Sequence, residues 1–195
     1  MGQAEYLSTA QIIDLCFAHY TSENSRKANA SIALKELGAA RQLKNQAFGR
    51  SNVYFTGRPP NLTAHNLAVR DLYVKLARSG FELRGAHFAF DGIPGLVPDL
   101  YAVFAADDGG EIHTAWEYDT GTEGIAELET KLRRYQAYPY DRLVFVVKDE
   151  AKLQALRSRL TAPRLSFAAL NNFSVLTDAA FLSSEADAPQ PFFVT

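Results

Sequence analysis

Two carboxylates and a lysine in the central part of the chain are the side chains best suited to chemistry. Residues 111–119 alternate with a period of two, so Glu117 and Asp119 lie on one face of a predicted strand. A Thr-Gly-Thr turn ends the alternation, and the helical period that follows places Lys131 at the edge of an apolar stripe. From there the lysine can reach the carboxylate end of the preceding strand. Asp99, near the start of another predicted strand, adds a third carboxylate.

The elements that must position these side chains follow the order αβββαβ. In sequence, they are a helix over 64–79, strands over 81–90, 96–105 and 111–120, a helix over 123–138 and a strand over 143–147. A further helix at about 150–160 and two weaker strands, 165–170 and 173–177, extend the pattern. We therefore predict an α/β (α+β) domain with a mixed sheet flanked by helices. The acids lie at its second and third strands.

A basic segment precedes this core. From Arg26 to Arg58 there are seven Lys and Arg residues against the single acid Glu36, although the net charge of the chain is −2. A helix that begins with a Ser8–Gln11 capping box, a basic helix and a basic hairpin follow one another here. That order is typical of a winged helix-turn-helix.

A basic winged helix would bind DNA through its cations. The predicted DNA-binding residues are the following: Arg26, Lys27, Asn29, Lys35, Arg41, Lys44 and Arg50. An alternative is a small helical cap whose basic residues only solvate a surface. No side chain can be assigned to a base, because phosphate contacts position a protein without specifying sequence.

The Pro59-Pro60 pair is the clearest boundary, since consecutive prolines end both helices and strands. We therefore predict a winged-helix domain over 1–58, a second domain over 62–182 and a flexible tail over 183–195.

Composition excludes several classes of protein. No apolar run approaches the ~18 residues of a membrane helix, and the N-terminus has no signal-peptide pattern. The single cysteine, Cys16, excludes an internal disulfide and a thiolate cluster. The histidines lack zinc-site spacing, and nucleotide-binding glycine motifs and the Gly-x-Ser-x-Gly motif are absent. We expect an intracellular, reducing environment.

Pro98-Asp99 and Glu117, within the βββα order, resemble the acids of the PD-(D/E)xK nuclease superfamily. Over roughly residues 5–160, the chain more specifically resembles the replication-relaxation family. The most specific part of that resemblance runs from Glu117 to Tyr135. Proteins of that family are associated with plasmid replication and with relaxation of plasmid DNA in bacteria.

The resemblance implies a DNA endonuclease that depends on Mg²⁺ or Mn²⁺. Asp99 and Glu117 would hold the ion, and Asp119 would add a direct or water-mediated ligand. The superfamily pattern expects a lysine where this chain has Asp119, and Lys131 would take its place by orienting water or stabilising negative charge. Double-stranded DNA, a second copy of the chain, and replication or mobilisation proteins would be its partners. It would act in the bacterial cytoplasm, at the nucleoid or on a plasmid.

Other interpretations remain open at the level of sequence. Lys131 could form only a surface ion pair with Glu127, four residues earlier. Glu117 and Asp119 could be the solvated face of an edge strand, and Asp99 could be a turn residue. The whole protein could then be a non-catalytic regulator or a replication accessory factor with an inactive nuclease fold.

Overall fold

The computed structural model describes residues 5–91, 96–119, 123–136, 140–147, 150–158 and 165–169. The chain forms two compact units, with the division between Arg78 and Ser79. None of the helices described is long and apolar enough to cross a membrane.

The N-terminal unit has three strands and three helices. They are β1 (Tyr6–Ser8), α1 (Thr9–Cys16), α2 (Glu23–Ala39), β2 (Lys44–Phe48), β3 (Ser51–Phe55) and α3 (Ala64–Ala77). The strands form an antiparallel sheet in the order β1-β3-β2. Gly49, at a φ of 58°, supplies the left-handed conformation of a tight turn. The pairing of the predicted hairpin therefore continues to Phe48 and Ser51, next to the turn.

The predicted capping box at the start of α1 is confirmed. Ser8 Oγ accepts a hydrogen bond from the Gln11 N–H at 3.3 Å, and Gln11 Oε1 accepts one from the Ser8 N–H at 2.8 Å. The amide nitrogen of Gln11 also donates to the Leu67 carbonyl at 2.9 Å and to Asp71 Oδ1 at 2.6 Å. Gln11 thus caps its own helix and ties α1 to α3.

Helix α3 belongs to the N-terminal unit, whereas the sequence placed it in the second domain, 62–182. Besides the contact with Gln11, the guanidinium of the buried Arg70 lies 3.8 Å from the centroid of the Tyr6 ring on β1. A cation over an aromatic face is attractive, particularly when it is shielded from water. These contacts join α3 to the sheet and helix that precede the prolines.

Helix α2 is more exposed than its sequence suggests. The apolar positions predicted to form its inner face are Ala28, Ile32, Leu34, Leu37 and Ala40. The helix buries Ala30 and Leu34, while the side chain of Ile32 is 57% exposed. Most of α2 is therefore available to a partner.

The C-terminal unit is built on a five-stranded sheet. Its elements are β4 (Leu83–Phe88), β5 (Leu100–Ala105), β6 (Glu111–Asp119), α4 (Ile125–Gln136), β7 (Arg142–Val147), α5 (Glu150–Arg157) and β8 (Leu165–Ala169). The strand order is β4-β5-β6-β7-β8, antiparallel from β4 to β6 and parallel from β6 to β8. The predicted mixed sheet is confirmed. The predicted strand 173–177 and tail 183–195 lie outside the described residues.

Packing of α4 and α5 against the sheet creates the core of this unit. Leu128, Leu132 and Tyr135 of α4 join Leu153 and Leu156 of α5 in one buried cluster. The sheet contributes the rest, including Ala115, Leu143, Phe145, Val147, Leu165 and Phe167. Burial of Leu128, Leu132 and Tyr135 contributes roughly 1.5–3 kcal/mol for each side chain and fixes the rotation of α4 about its own axis. That rotation decides where its polar side chains point.

We expect Ser8→Ala to lower the free energy of unfolding of the N-terminal unit by about 1 kcal/mol, because it removes the acceptor for the Gln11 N–H. Urea unfolding followed by circular dichroism measures this loss. Thr21→Ala removes an exposed hydroxyl outside the capping box and should change stability by less than about 0.5 kcal/mol. Equal stabilities of the two variants would contradict the role of the cap.

Candidate active site

Glu117 and Asp119 lie in the interior of the C-terminal unit. Each is only 3% exposed, on a strand with β5 on one side and β7 on the other. The interpretation that they form the solvated face of an edge strand is therefore wrong. A buried carboxylate is costly unless it is paired or hydrogen-bonded, so the partners of these residues decide their chemistry.

Lys131 of α4 is the charged partner of Glu117. Its Nζ lies 2.7 Å from Glu117 Oε2 and 3.2 Å from Oε1 of Glu123, which precedes the helix. The Glu127 carboxylate instead accepts a hydrogen bond from the Gly124 N–H at 2.9 Å. Lys131 thus faces the carboxylate end of β6, and its ion pairs are not the surface pair with Glu127 that the helical spacing allowed.

Tyr135, one helical turn after Lys131, completes the environment of Glu117. Its hydroxyl donates a short hydrogen bond to Glu117 Oε1. Each oxygen of Glu117 therefore accepts from a different side chain of α4. The helical period places Tyr135 in the apolar stripe of this helix, which does not indicate a polar contact. Its spacing of four residues from Lys131 was the available signal, since such residues share a helix face.

Asp99 lies beside the same strand. Its Oδ2 accepts a hydrogen bond from the backbone N–H of Tyr118 at 2.8 Å, just beyond the last β5–β6 pair, Leu100 with Trp116. Its backbone carbonyl accepts from the Ala89 N–H at 3.1 Å. Both hydrogen bonds stabilise the end of the sheet, so Asp99 has the structural role that its interpretation as a turn residue predicts. Its charge also acts on Glu117, so the structural role and a role in the site are compatible.

The environment shifts the proton equilibria of this group in different directions. Burial, with the negative charge of Asp99 added, raises the pKa of Glu117 from 4.5 to about 7, although Lys131 and Tyr135 oppose the shift. Burial acts to lower the pKa of Lys131, but Glu117 and Glu123 outweigh it and the net shift is upward. Burial and the Glu117 charge raise the pKa of Tyr135. Near neutral pH, Lys131 is a cation, Tyr135 is a neutral donor and Glu117 titrates.

The oxygen donors of this site suit a hard divalent ion. Within the described parts of the chain, no three His, Cys, Asp or Glu side chains are grouped as metal ligands. Mg²⁺, however, is commonly bound by one or two carboxylates together with water and substrate phosphates. Asp99 and Glu117 repel each other, and a cation between them would relieve that repulsion. Binding of Mg²⁺ by Asp99 and Glu117, with a contribution from Asp119, stays a prediction.

The predicted DNA-binding residues all lie in the N-terminal unit, in two groups. Four make contacts within the unit. Lys27 forms an ion pair with Glu23 at 2.5 Å. The other three each donate a hydrogen bond of 2.8 Å to a backbone carbonyl: Arg26 to Tyr20, Asn29 to Ser25 and Lys44 to Gly57. Lys35 of α2, Arg41 after it and Arg50 at the hairpin turn are exposed. No ion pair joins these three cations to another residue that the structure describes.

Comparison with known proteins connects the site to one family. The family model described as replication-relaxation matches residues 57–143. This segment contains Asp99, Glu117, Asp119, Lys131 and Tyr135, and it begins at the end of the basic segment, just before Arg58. The match supports the resemblance to this family over residues 57–143. Neither the curated proteins nor the solved structures include a significant match.

The raised pKa of Glu117 predicts how pH changes stability. A carboxyl whose pKa is higher in the folded chain supports folding below its ordinary pKa of 4.5, and this support is lost as the pH rises through about 7. At about 1.36 kcal/mol per pH unit, the interval from 4.5 to about 7 corresponds to roughly 3 kcal/mol. We expect Glu117→Gln to lack this loss.

The measurement is the free energy of unfolding of wild type and Glu117→Gln at a series of pH values from 4 to 8. Glu129→Gln, which removes a carboxylate from α4 outside the Glu117 contacts, should keep the pH dependence of the wild type. Parallel profiles for wild type and Glu117→Gln would show that Glu117 does not titrate in this range.

Proposed function

We propose that this chain, whose residues 57–143 match the replication-relaxation family, is a DNA-binding, metal-dependent endonuclease. The family supports a role in the replication of plasmids or other mobile elements. In this proposal the N-terminal unit, a winged helix-turn-helix, holds double-stranded DNA. The C-terminal unit, a PD-(D/E)xK-like domain, nicks or cleaves it.

The observation that carries the catalytic part is the contact between Lys131 and Glu117. The PD-(D/E)xK pattern requires a lysine close to the second acid, and this chain has Asp119 at the usual position. Lys131 supplies the amine from the following helix, 2.7 Å from Glu117 Oε2. Its raised pKa keeps it cationic, so it can stabilise negative charge that develops on a phosphate.

Asp99 and Glu117 would hold the ion, and Asp119 would support them. A bound Mg²⁺ or Mn²⁺ supplies charge stabilisation on the phosphate and a water of lowered pKa. Tyr135 fixes the orientation of the Glu117 carboxylate through its hydroxyl.

The topology of the N-terminal unit supports DNA binding. Strand β1, helices α1 and α2 and the β2–β3 hairpin follow in the order of a winged helix, with the sheet order β1-β3-β2. Helix α2 buries only two residues, so its remaining surface can enter a major groove. Lys35, Arg41 and Arg50 are the exposed cations that would contact phosphates. Two-fold related copies would match a palindromic site.

One observation favours a second function, that of a non-catalytic regulator or replication accessory factor. Both oxygens of Glu117 already accept hydrogen bonds from Lys131 and Tyr135. A buried carboxylate held in this way could serve only to join α4 to β6. Activity measurements distinguish the two functions.

We expect the wild-type protein to nick supercoiled plasmid in Mg²⁺ or Mn²⁺, with chelation abolishing the reaction. Lys131→Met and Asp99→Asn should each reduce the rate by about 100-fold or more, since one removes charge stabilisation and the other a metal ligand. Gel analysis of nicked and linear plasmid measures the rates. Arg133→Met removes an exposed cation from the same helix and should retain wild-type activity. Duplex binding without nicking in either metal would favour the regulator.

We expect duplex binding to weaken with salt, because cations of the N-terminal unit displace counterions from phosphates. Lys35→Ala and Arg50→Ala should each reduce the slope of log K against log salt by about one, with similar losses for different DNA sequences. Fluorescence anisotropy at several salt concentrations measures the slopes. Lys75→Ala, an exposed lysine of α3 outside the basic segment, should keep the wild-type slope. Wild-type slopes for Lys35→Ala and Arg50→Ala would contradict the assigned interface.

A further inference from the structure

Four flat side chains form a second feature of the C-terminal unit, which we call the ring platform: His87, Phe90, Tyr101 and His113. Strand register places His87, Tyr101 and His113 on the same side of β4, β5 and β6, and Phe90 follows β4. The Phe90 and Tyr101 rings are stacked with centroids 4.7 Å apart and planes inclined by 16°. The Tyr101 and His113 rings are 5.9 Å apart, and their side chains are hydrogen-bonded. All four residues are half-buried.

The ring platform lies on the half of the sheet that the described helices leave more open. Helices α4 and α5 follow the parallel strands and contribute to the core cluster over β6, β7 and β8. On β4, Gly85 pairs with Val103 and lies on the side of His87. A Cβ added at Gly85 would meet no atom of the described residues within 4 Å. A flat ligand therefore has space beside the rings.

Ring contacts connect the platform to the candidate active site. The Tyr101 ring is 5.9 Å from the ring of Tyr140, which is 5.7 Å from the ring of Tyr135. The Tyr135 hydroxyl in turn donates to Glu117. Glu117 lies four residues after His113 along β6, which corresponds to about 13 Å at ~3.3 Å per residue. A polymer bound to the platform would thus pass close to Glu117 and Lys131.

The charges beside the platform are of both signs, so they do not form a phosphate site. Glu111 Oε2 lies 3.8 Å from His113 Nε2, and Asp141 Oδ2 accepts a hydrogen bond from the His113 N–H at 2.8 Å. Glu111 Oε1 also lies 3.6 Å from Arg84 Nη1, so the charges beside the rings are partly compensated, and the ring faces attract flat, uncharged groups. Aromatic side chains on an open sheet face are a recurrent means of stacking unpaired bases.

We propose that the ring platform binds unpaired nucleobases of DNA beside the Glu117–Lys131 pair. This inference rests on the proposed function and specifies its substrate: DNA that is single-stranded or locally unpaired at the nick. Duplex DNA held by the N-terminal unit would be cleaved where bases of one strand can leave the helix and stack on the rings.

The test compares binding of the full-length protein to two oligomers in the presence of a chelator. One is oligo(dT), and the other is an abasic oligomer of the same length and charge. The wild type should bind oligo(dT) more tightly. Phe90→Leu and His87→Ala should each lower the affinity for oligo(dT) by about tenfold and leave the abasic affinity unchanged, because each removes a ring that bases stack on.

Two further variants control for general effects of ring removal. Phe90→Trp keeps an aromatic face and should retain the preference for oligo(dT). His19→Ala removes a ring that lies 4.2 Å from Tyr20 in the N-terminal unit and should behave as the wild type does. Equal affinity of the wild type for the two oligomers, or a full preference in both Phe90→Leu and His87→Ala, would overturn the proposal.

The same oligomers separate this inference from the proposed function. Glu117→Gln should lose nicking of plasmid and keep the preference for oligo(dT). Nicking by a wild type without base preference would overturn the ring platform alone. Base preference in a wild type that nicks no DNA in Mg²⁺ or Mn²⁺ would support the platform and leave the endonuclease contradicted.

Discussion

The buried carboxylate of Glu117 is the constraint around which the C-terminal unit is arranged. At 3% exposure, its charge has little access to water, and protein donors must stabilise it. Lys131 and Tyr135 supply one donor each, from adjacent turns of α4. This arrangement depends on the packing of Leu128 and Leu132 against the sheet, because a rotation of the helix would separate both donors from the carboxylate.

Glu117 therefore links α4 to β6, and its environment is also compatible with the reactive role proposed for it. An ion pair with one partner buried contributes little net stability, since desolvation offsets much of the attraction. Stability alone therefore does not account for a charged carboxylate at this position, whereas the proposed binding of a divalent ion by Glu117 would. A pKa of about 7 for Glu117 beside a cationic Lys131 is typical of groups that exchange protons near neutral pH.

The two units divide the chemistry of the proposed nuclease between them. The exposed cations Lys35, Arg41 and Arg50 belong to the N-terminal unit, and the carboxylates belong to the sheet of the C-terminal unit. Carboxylates in a DNA-binding surface would weaken phosphate contacts, so their separation in the fold is physically favourable. Within the C-terminal unit, the stacked rings of the proposed platform would offer DNA bases a contact on the same face of the sheet as Glu117.

The sequence by itself determined the local elements and the shared faces. Period-two alternation placed Glu117 and Asp119 together, and the capping box located the start of α1. Tertiary structure decided the rest, because burial and long-range pairing depend on which elements meet. In the tertiary structure β6 is a central strand, and α3 belongs to the N-terminal unit. Lys131 contacts Glu117 rather than Glu127, and the hydroxyl of Tyr135 donates a hydrogen bond to Glu117. Helical spacing limits a side chain to a few neighbours, and only packing selects among them.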